Sequence, residues 1–161
     1  MQNEILNKSE MNPNIQTPEA LINETIEKVE KIIKDKFPEY IHFDTGAYTI
    51  SRGSTQVMLV VRPYTDDDTC IECSANVVNG AHITNDLMQF LLRKNAELHF
   101  GGFGLLFDGT IIFTHSISGA NLNQNELLNT VDAVATISDY YDDILVKEYG
   151  GKRACDLNQE L

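Results

Sequence analysis

Basic side chains are scarce. Twelve Lys and Arg stand against 24 Asp and Glu, a formal net charge of −12 over 161 residues. Nucleic-acid binders usually carry a basic patch, and anionic membrane surfaces attract basic segments, so neither is an expected partner. A surface this acidic suits solubility, or a basic or apolar partner. Long apolar runs are also missing. None approaches the roughly 20 residues that span a bilayer. The start, Met1-Gln2-Asn3-Glu4, lacks the basic and apolar regions of a signal peptide, so none is expected. Cysteine is limited to three residues, an odd number that forms no disulfide framework and fits a reducing cytoplasm.

The usual chemical signatures are absent as well. His42, His82, His99 and His115 are scattered, with no pair one helical turn apart and no HExxH. Cys70 and Cys73 have C-x-x-C spacing, but they fall in a strand-like run, where i and i+3 point to opposite faces. A redox pair needs a helix N-terminus, and a zinc set needs further ligands. Asp66-Asp67-Asp68 lacks the distal Glu of a calcium loop and reads as a solvated turn. Gly101-Gly102-Phe103-Gly104 leads into a strand, so no helix N-terminus is there to receive a phosphate. No catalytic residue, metal site or cofactor is expected.

What is present is a regular succession of elements. Residues 1–16 read as a mobile tail and 152–161 as another, enclosing one domain over 17–151. Thr17-Pro18-Glu19 opens a helix, with Thr as cap. Ile22, Ile26, Val29 and Ile33 line its apolar face, and Pro38 stops it. Strands follow at Ala47 to Arg52, Thr55 to Arg62 and Thr69 to Val78, the first two joined by Gly53-Ser54. Thr84 or Asn85 caps a second helix with Leu87, Met88, Leu91 and Leu92. Then comes a hairpin, Phe103 to Phe107 and Thr110 to His115, about Asp108-Gly109, read as a type I′ turn. Period two sets Phe103, Leu105 and Phe107 on one face and Ile111, Phe113, His115 and Ile117 on another. Asn123 with Glu126 caps the last helix, whose buried face carries Leu127, Val131, Val134, Tyr141 and Leu145; Gly150-Gly151 ends it. The order α-β-β-β-α-β-β-α predicts an α+β fold, a single twisted antiparallel sheet of five strands with three helices.

Several stretches resemble a known family: Leu87 to Asn95, Phe103-Gly104-Leu105-Leu106-Phe107-Asp108-Gly109, Ile112-Phe113-Thr114-His115-Ser116-Ile117, and Asp139-Tyr140-Tyr141-Asp142. With the element order, they are similar to the YbjN-type proteins and the type III secretion chaperone fold. The resemblance implies a non-enzymatic, peptide-binding, chaperone-like protein, homodimeric, whose partner is a client polypeptide. These motifs are turns and core positions, so they bear on fold more than on activity.

One strand suggests a surface. Val57, Leu59 and Val61 lie on one face, but Met58 and Val60 make the other face apolar too. Met58 and Val60, with Leu106 and Ile112 as neighbours, are the candidate client or dimer surface; cover by a helix of the same chain is the structural alternative. A small-ligand sensor or minor enzyme, with a pocket near Gly101 to Gly104 and His115, is the functional alternative. Asp139, Asp142 and Asp143 share a helical face that is solvated or meets basic groups of a partner. Cys155 lies in the expected tail.

Overall fold

The computed structural model describes residues 16–157. The expected N-terminal tail, Gln16 apart, lies outside the described residues. Helix α1 spans Glu19–Lys36. Strands β1 (Tyr40–Asp44), β2 (Ala47–Arg52), β3 (Thr55–Pro63) and β4 (Thr69–Asn79) follow. Helix α2 (Asn85–Glu97), strands β5 (Gly102–Leu105) and β6 (Ile111–Ser118) and helix α3 (Gln124–Tyr149) complete the main body. Lys152–Arg153 form a short β7 and Ala154–Leu157 a helical turn, α4.

The sheet has seven strands in the order β1-β2-β3-β4-β6-β5, with β7 beside β4, and every pair is antiparallel. The α+β class and antiparallel sheet stand as expected. The counts do not: β1 and β7 raise five strands to seven, and α4 raises three helices to four among the described residues. Part of the expected C-terminal tail is therefore paired structure, with Arg153 opposite Val78 and Lys152 opposite Asn79.

The inner face of the sheet holds the core. Ile50, Val57, Leu59, Ile71, Cys73 and Phe113 are fully buried there against Val29 and Ile33 of α1 and Leu127, Val131, Val134 and Leu145 of α3. The period-two pattern of β3 and β4 and the 3.6 period of the helices place these residues inward. Cys70 and Cys73 point to opposite faces as expected, and all three cysteines are free. Burial pushes the Cys73 thiol up to about 12, which leaves it inert.

Local chemistry corrects some details. Thr17 does not cap α1. Pro18 holds the cap position, and Thr17 Oγ1 donates to Thr65 O at 2.7 Å and accepts from Tyr64 N–H at 2.9 Å, tying the helix start to the β3–β4 turn. Thr84 and Asn123 do cap α2 and α3, accepting from Leu87 and Glu126 N–H. Gly53 has φ 60 and Ser54 a negative φ, the pattern of a type II′ turn, which needs glycine only at its first central position. The β5–β6 connection is longer than a type I′ turn. Asp108 has a negative φ, Gly109 N–H donates to Leu106 O, and Leu106 N–H donates to Thr110 O. With β5 ending at Leu105, Phe107 leaves the strand face and is 88% exposed.

Asp68 is no solvated turn residue. Its carboxylate accepts from Thr69 N–H at 2.8 Å, Ala120 N–H at 2.9 Å and Ser118 Oγ at 2.5 Å, joining the β3–β4 turn to the β6–α3 loop. Burial alone would raise its pKa; the bonds from Ser118, Ala120 and Thr69 outweigh this and hold it below the usual carboxylate range. A folded-state pKa below the unfolded one adds stability above the unfolded value, roughly 3.9, and that stability is lost as pH falls through the folded value. Asp68→Asn is therefore expected to lower stability by about 2 kcal/mol at pH 7, and the gap from wild type should close below roughly pH 4. Urea unfolding at pH 7, 5 and 3 checks this; a gap that stays constant across that range would refute it.

Candidate functional site

β3 is hydrogen-bonded on both edges, to β2 and β4. Its inward residues are buried, while Met58 on the outer face is 45% exposed and Val60 is half-buried. α1 and α3 pack against the other face, and only the short α4 comes near Met58, lining a cavity with it, so Met58 stays partly exposed. The cross-strand register extends this outer face sideways: Ile41 is opposite Thr49, Thr49 opposite Met58, Met58 opposite Ser74 and Ser74 opposite Thr114. Directly opposed side chains share a face. Ile41 is 62% exposed, and Phe43, at a β-bulge of β1, is also exposed. The apolar surface around Met58 and Val60 thus continues toward β1.

It does not continue toward the other residues named from sequence. Ile112 lies on the same face but across β4, opposite Asn76, and its side chain leans over Gly104, where a Cβ would come within 3.3 Å. Leu106 sits beyond the sheet in the β5–β6 turn. The four residues therefore divide, Met58 and Val60 on β3 and the other two across polar β4. Other exposed apolar side chains are Leu105 and Phe107 in the same hairpin, and Met88 and Leu92, one turn apart on α2, the helix that packs on β5.

The two ends of the sheet differ. At β5, Asn95 of α2 lies along the strand. Its Oδ1 accepts from Phe103 N–H at 2.6 Å, and its Nδ2 donates to Phe103 O at 3.0 Å, so a side chain stands where the next strand would bind. At β1 no described strand flanks the outer side. An unpaired strand edge is a template for a further strand. β1 and its Ile41 and Phe43 were missed in the sequence; the alternation Tyr40-Ile41-His42-Phe43 after Pro38 was the available signal.

His115 lies on the inner face of β6, near the sheet end. Its ring meets Phe100 edge-on, 5.8 Å between centroids, in a hollow also lined by Ile117, Glu126 and Asn129. Burial pulls the imidazole pKa down, against a weaker upward pull from Glu126. Gly101 to Gly104 do not line this hollow. Gly101, with φ 68, turns the chain into β5 where a Cβ would come within 2.8 Å of the Phe113 ring. The glycines serve close packing, and the Thr130 hydroxyl that lines the hollow with His115 donates to Glu126 O.

This arrangement of helices on an antiparallel sheet has counterparts among solved structures. The crystal structure of the ExsC–ExsE complex contains a chain with a TM-score of 0.57 at 14% identity, covering 81% of this chain and 97% of that one. The HopA1–SchA chaperone–effector complex gives 0.57 at 12% identity, covering 76% and 94%. At these identities the likeness concerns the fold. The chain belongs to the TY-Chap1 family, described as T3SS (YopN, CesT) and YbjN peptide-binding chaperone 1, whose model matches residues 20–157. No curated protein sequence matches.

Proposed function

We propose that this protein is a non-enzymatic, chaperone-like binding module for a polypeptide client in the cytoplasm. The client adds an extended segment to the free edge of β1 and buries apolar side chains on Ile41, Phe43, Met58 and Val60. The observation that carries this reading is the group of exposed apolar side chains, Ile41, Phe43 and Met58, beside the β1 edge, which no described strand pairs. Main-chain bonds along the edge supply affinity, and alternate side chains meeting the face supply selectivity. Membership of a peptide-binding chaperone family supports it, as does the likeness in fold to a chaperone–effector complex. Binding would hold the client by mass action, without turnover or cofactor.

Homodimerisation belongs to the same proposal. The apolar group on Met88, Leu92, Leu105, Leu106 and Phe107 is a second surface, away from β1, and suits the seam between two copies. Native mass spectrometry of the protein taken gently from its own cells should show two copies carrying one defined polypeptide. Hydrogen exchange on that complex should slow along Tyr40–Asp44. A bare monomer, or a complex in which β1 exchanges as freely as in the isolated protein, would count against the proposal.

A further inference from the structure

A polar cavity of about 270 Å³ opens where β7 and α4 return to the sheet. The pairing of β4 with β3 stops at Ser74, and its pairing with β7 begins at Val78. The gap between leads down to α3, where Ser138 and Asp142 form the floor and Cys155 of α4 one wall. Ser138 is 2% exposed and Asp142 7%, so both are withdrawn from water. They lie four residues apart on one helical face.

Neither is well provided with partners. Ser138 Oγ is buried and has no hydrogen-bond partner. One oxygen of Asp142 accepts from Asp143 N–H at 2.5 Å; the other meets only the Cys155 thiol, a weak donor, at 3.8 Å. Arg153 of β7 bonds Asp143 and Asp156 instead. No Lys, Arg or His lines the cavity. Its walls otherwise offer the amides of Asn76 and Gln56 and, beside them, the apolar Met58, Val77 and Leu157. An unpaired buried hydroxyl and a buried carboxylate that no cation bonds directly are each costly, and they recur where a ligand completes them.

We infer that this cavity is a socket for an alkylammonium group. The ammonium would give its N–H donors to Asp142 and Ser138, and the alkyl stem would lie along Met58, Val77 and Leu157. A single carboxylate among amides and hydroxyls suits an organic cation better than a divalent metal, which takes several charged oxygens. The space exceeds a bare ion and accepts a short chain. Burial lifts the Asp142 pKa, helped by the charges of Asp143 and Asp139; the backbone N–H of Asp143 and the charge of Arg153, which bonds elsewhere, oppose it only in part.

The ammonium could come from a free amine or from a lysine side chain of a bound polypeptide, and one experiment separates them. The full chain is titrated with 1,5-diaminopentane, with Nα-acetyl-lysine N-methylamide, and with 1-pentanol as the uncharged control, while backbone amide shifts are followed by NMR. Both amines should give saturable shifts around Asn76–Asn79 and Ser138–Asp142. Asp142→Asn should weaken them at least tenfold and Ser138→Ala at least threefold, the second variant leaving every charge in place should the first fold poorly. Tighter binding of the lysine derivative assigns the socket to a side chain, and tighter binding of the diamine to a free ligand; both support it. Absence of saturable shifts, equal shifts with 1-pentanol, or unchanged titration of both variants overturns it. Ile41→Asp should leave amine binding intact, so this inference and the client-binding proposal can fail separately.

Discussion

Ile41→Asp and Met58→Asp are each expected to lower affinity for the polypeptide client by tenfold or more, and together to abolish binding, with thermal stability almost unchanged. Both side chains stand on the outer sheet face in one cross-strand row, Ile41 through Thr49 to Met58. A carboxylate placed there costs little in the free protein, because water reaches it; exposed substitutions usually change stability by no more than about 0.5 kcal/mol. In a complex the same carboxylate would be desolvated against an apolar partner, at a cost of roughly 2 kcal/mol or more. Since about 1.4 kcal/mol is tenfold in affinity, the two effects separate cleanly. Titration calorimetry with the co-isolating polypeptide, paired with melting curves, gives both numbers. Undiminished binding in the double variant would remove the outer face from consideration.

Phe113→Ala is expected to have the largest effect on stability. Phe113 is fully buried on β6, edge-on to Phe103 at 5.1 Å, and Phe103 is edge-on to Tyr141 of α3 at 5.2 Å. Tyr141 in turn meets Phe90 of α2 at 6.3 Å. This chain of rings joins β6, β5, α3 and α2, and it is packed closely enough that Gly101 tolerates no Cβ beside it. Removing the Phe113 ring forfeits its transfer energy, leaves a cavity and loosens Phe103, together about 3–5 kcal/mol. That is a large part of the roughly 5–15 kcal/mol by which domains are stable. Urea unfolding should show a midpoint shift with an unchanged slope, and Phe113→Leu should recover more than half of it. A loss below about 1 kcal/mol would mean that the ring cluster is not the keystone between α2 and the sheet.

The elements that were legible in the sequence are those whose pattern is local and long. The alternation of β4 and the helical spacing of Val29 and Ile33, or of Leu127, Val131 and Val134, report burial directly, because each element has one wet and one dry side. Gly53-Ser54 marked its turn because a positive φ there selects glycine. Phe107 misled because alternation was carried past Leu105, where the chain had already entered its turn. β7 escaped notice because it is two residues long and owes its extension to β4, whereas β1 carries a short alternation, Tyr40 to Phe43, that was passed over. Asp142 reads as a solvated acid on its helix; only the return of residues 152–157 across α3 buries it, and nothing near it in sequence announces that return. For the candidate surface, Met58 and Val60 were found through the doubly apolar β3, whereas Ile41 and Phe43 depend on which strand pairs with β2.

The Asn95 clamp on Phe103 has a consequence for assembly geometry. A sheet with two open ends can pass strand pairing from molecule to molecule without limit, and that is the route to fibres. Here one end is left unpaired among the described residues and the other is closed by Asn95. Growth by strand addition stops after a single event: either one foreign segment docks at β1, or two molecules meet β1 to β1 across a twofold axis and close. If a client docks at β1 as proposed, Asn95 makes the molecule a chain terminator for β-pairing, one that would hold an extended polypeptide without becoming a link in a polymer. A substitution such as Asn95→Ala would restore the second open end and with it the capacity for head-to-tail growth.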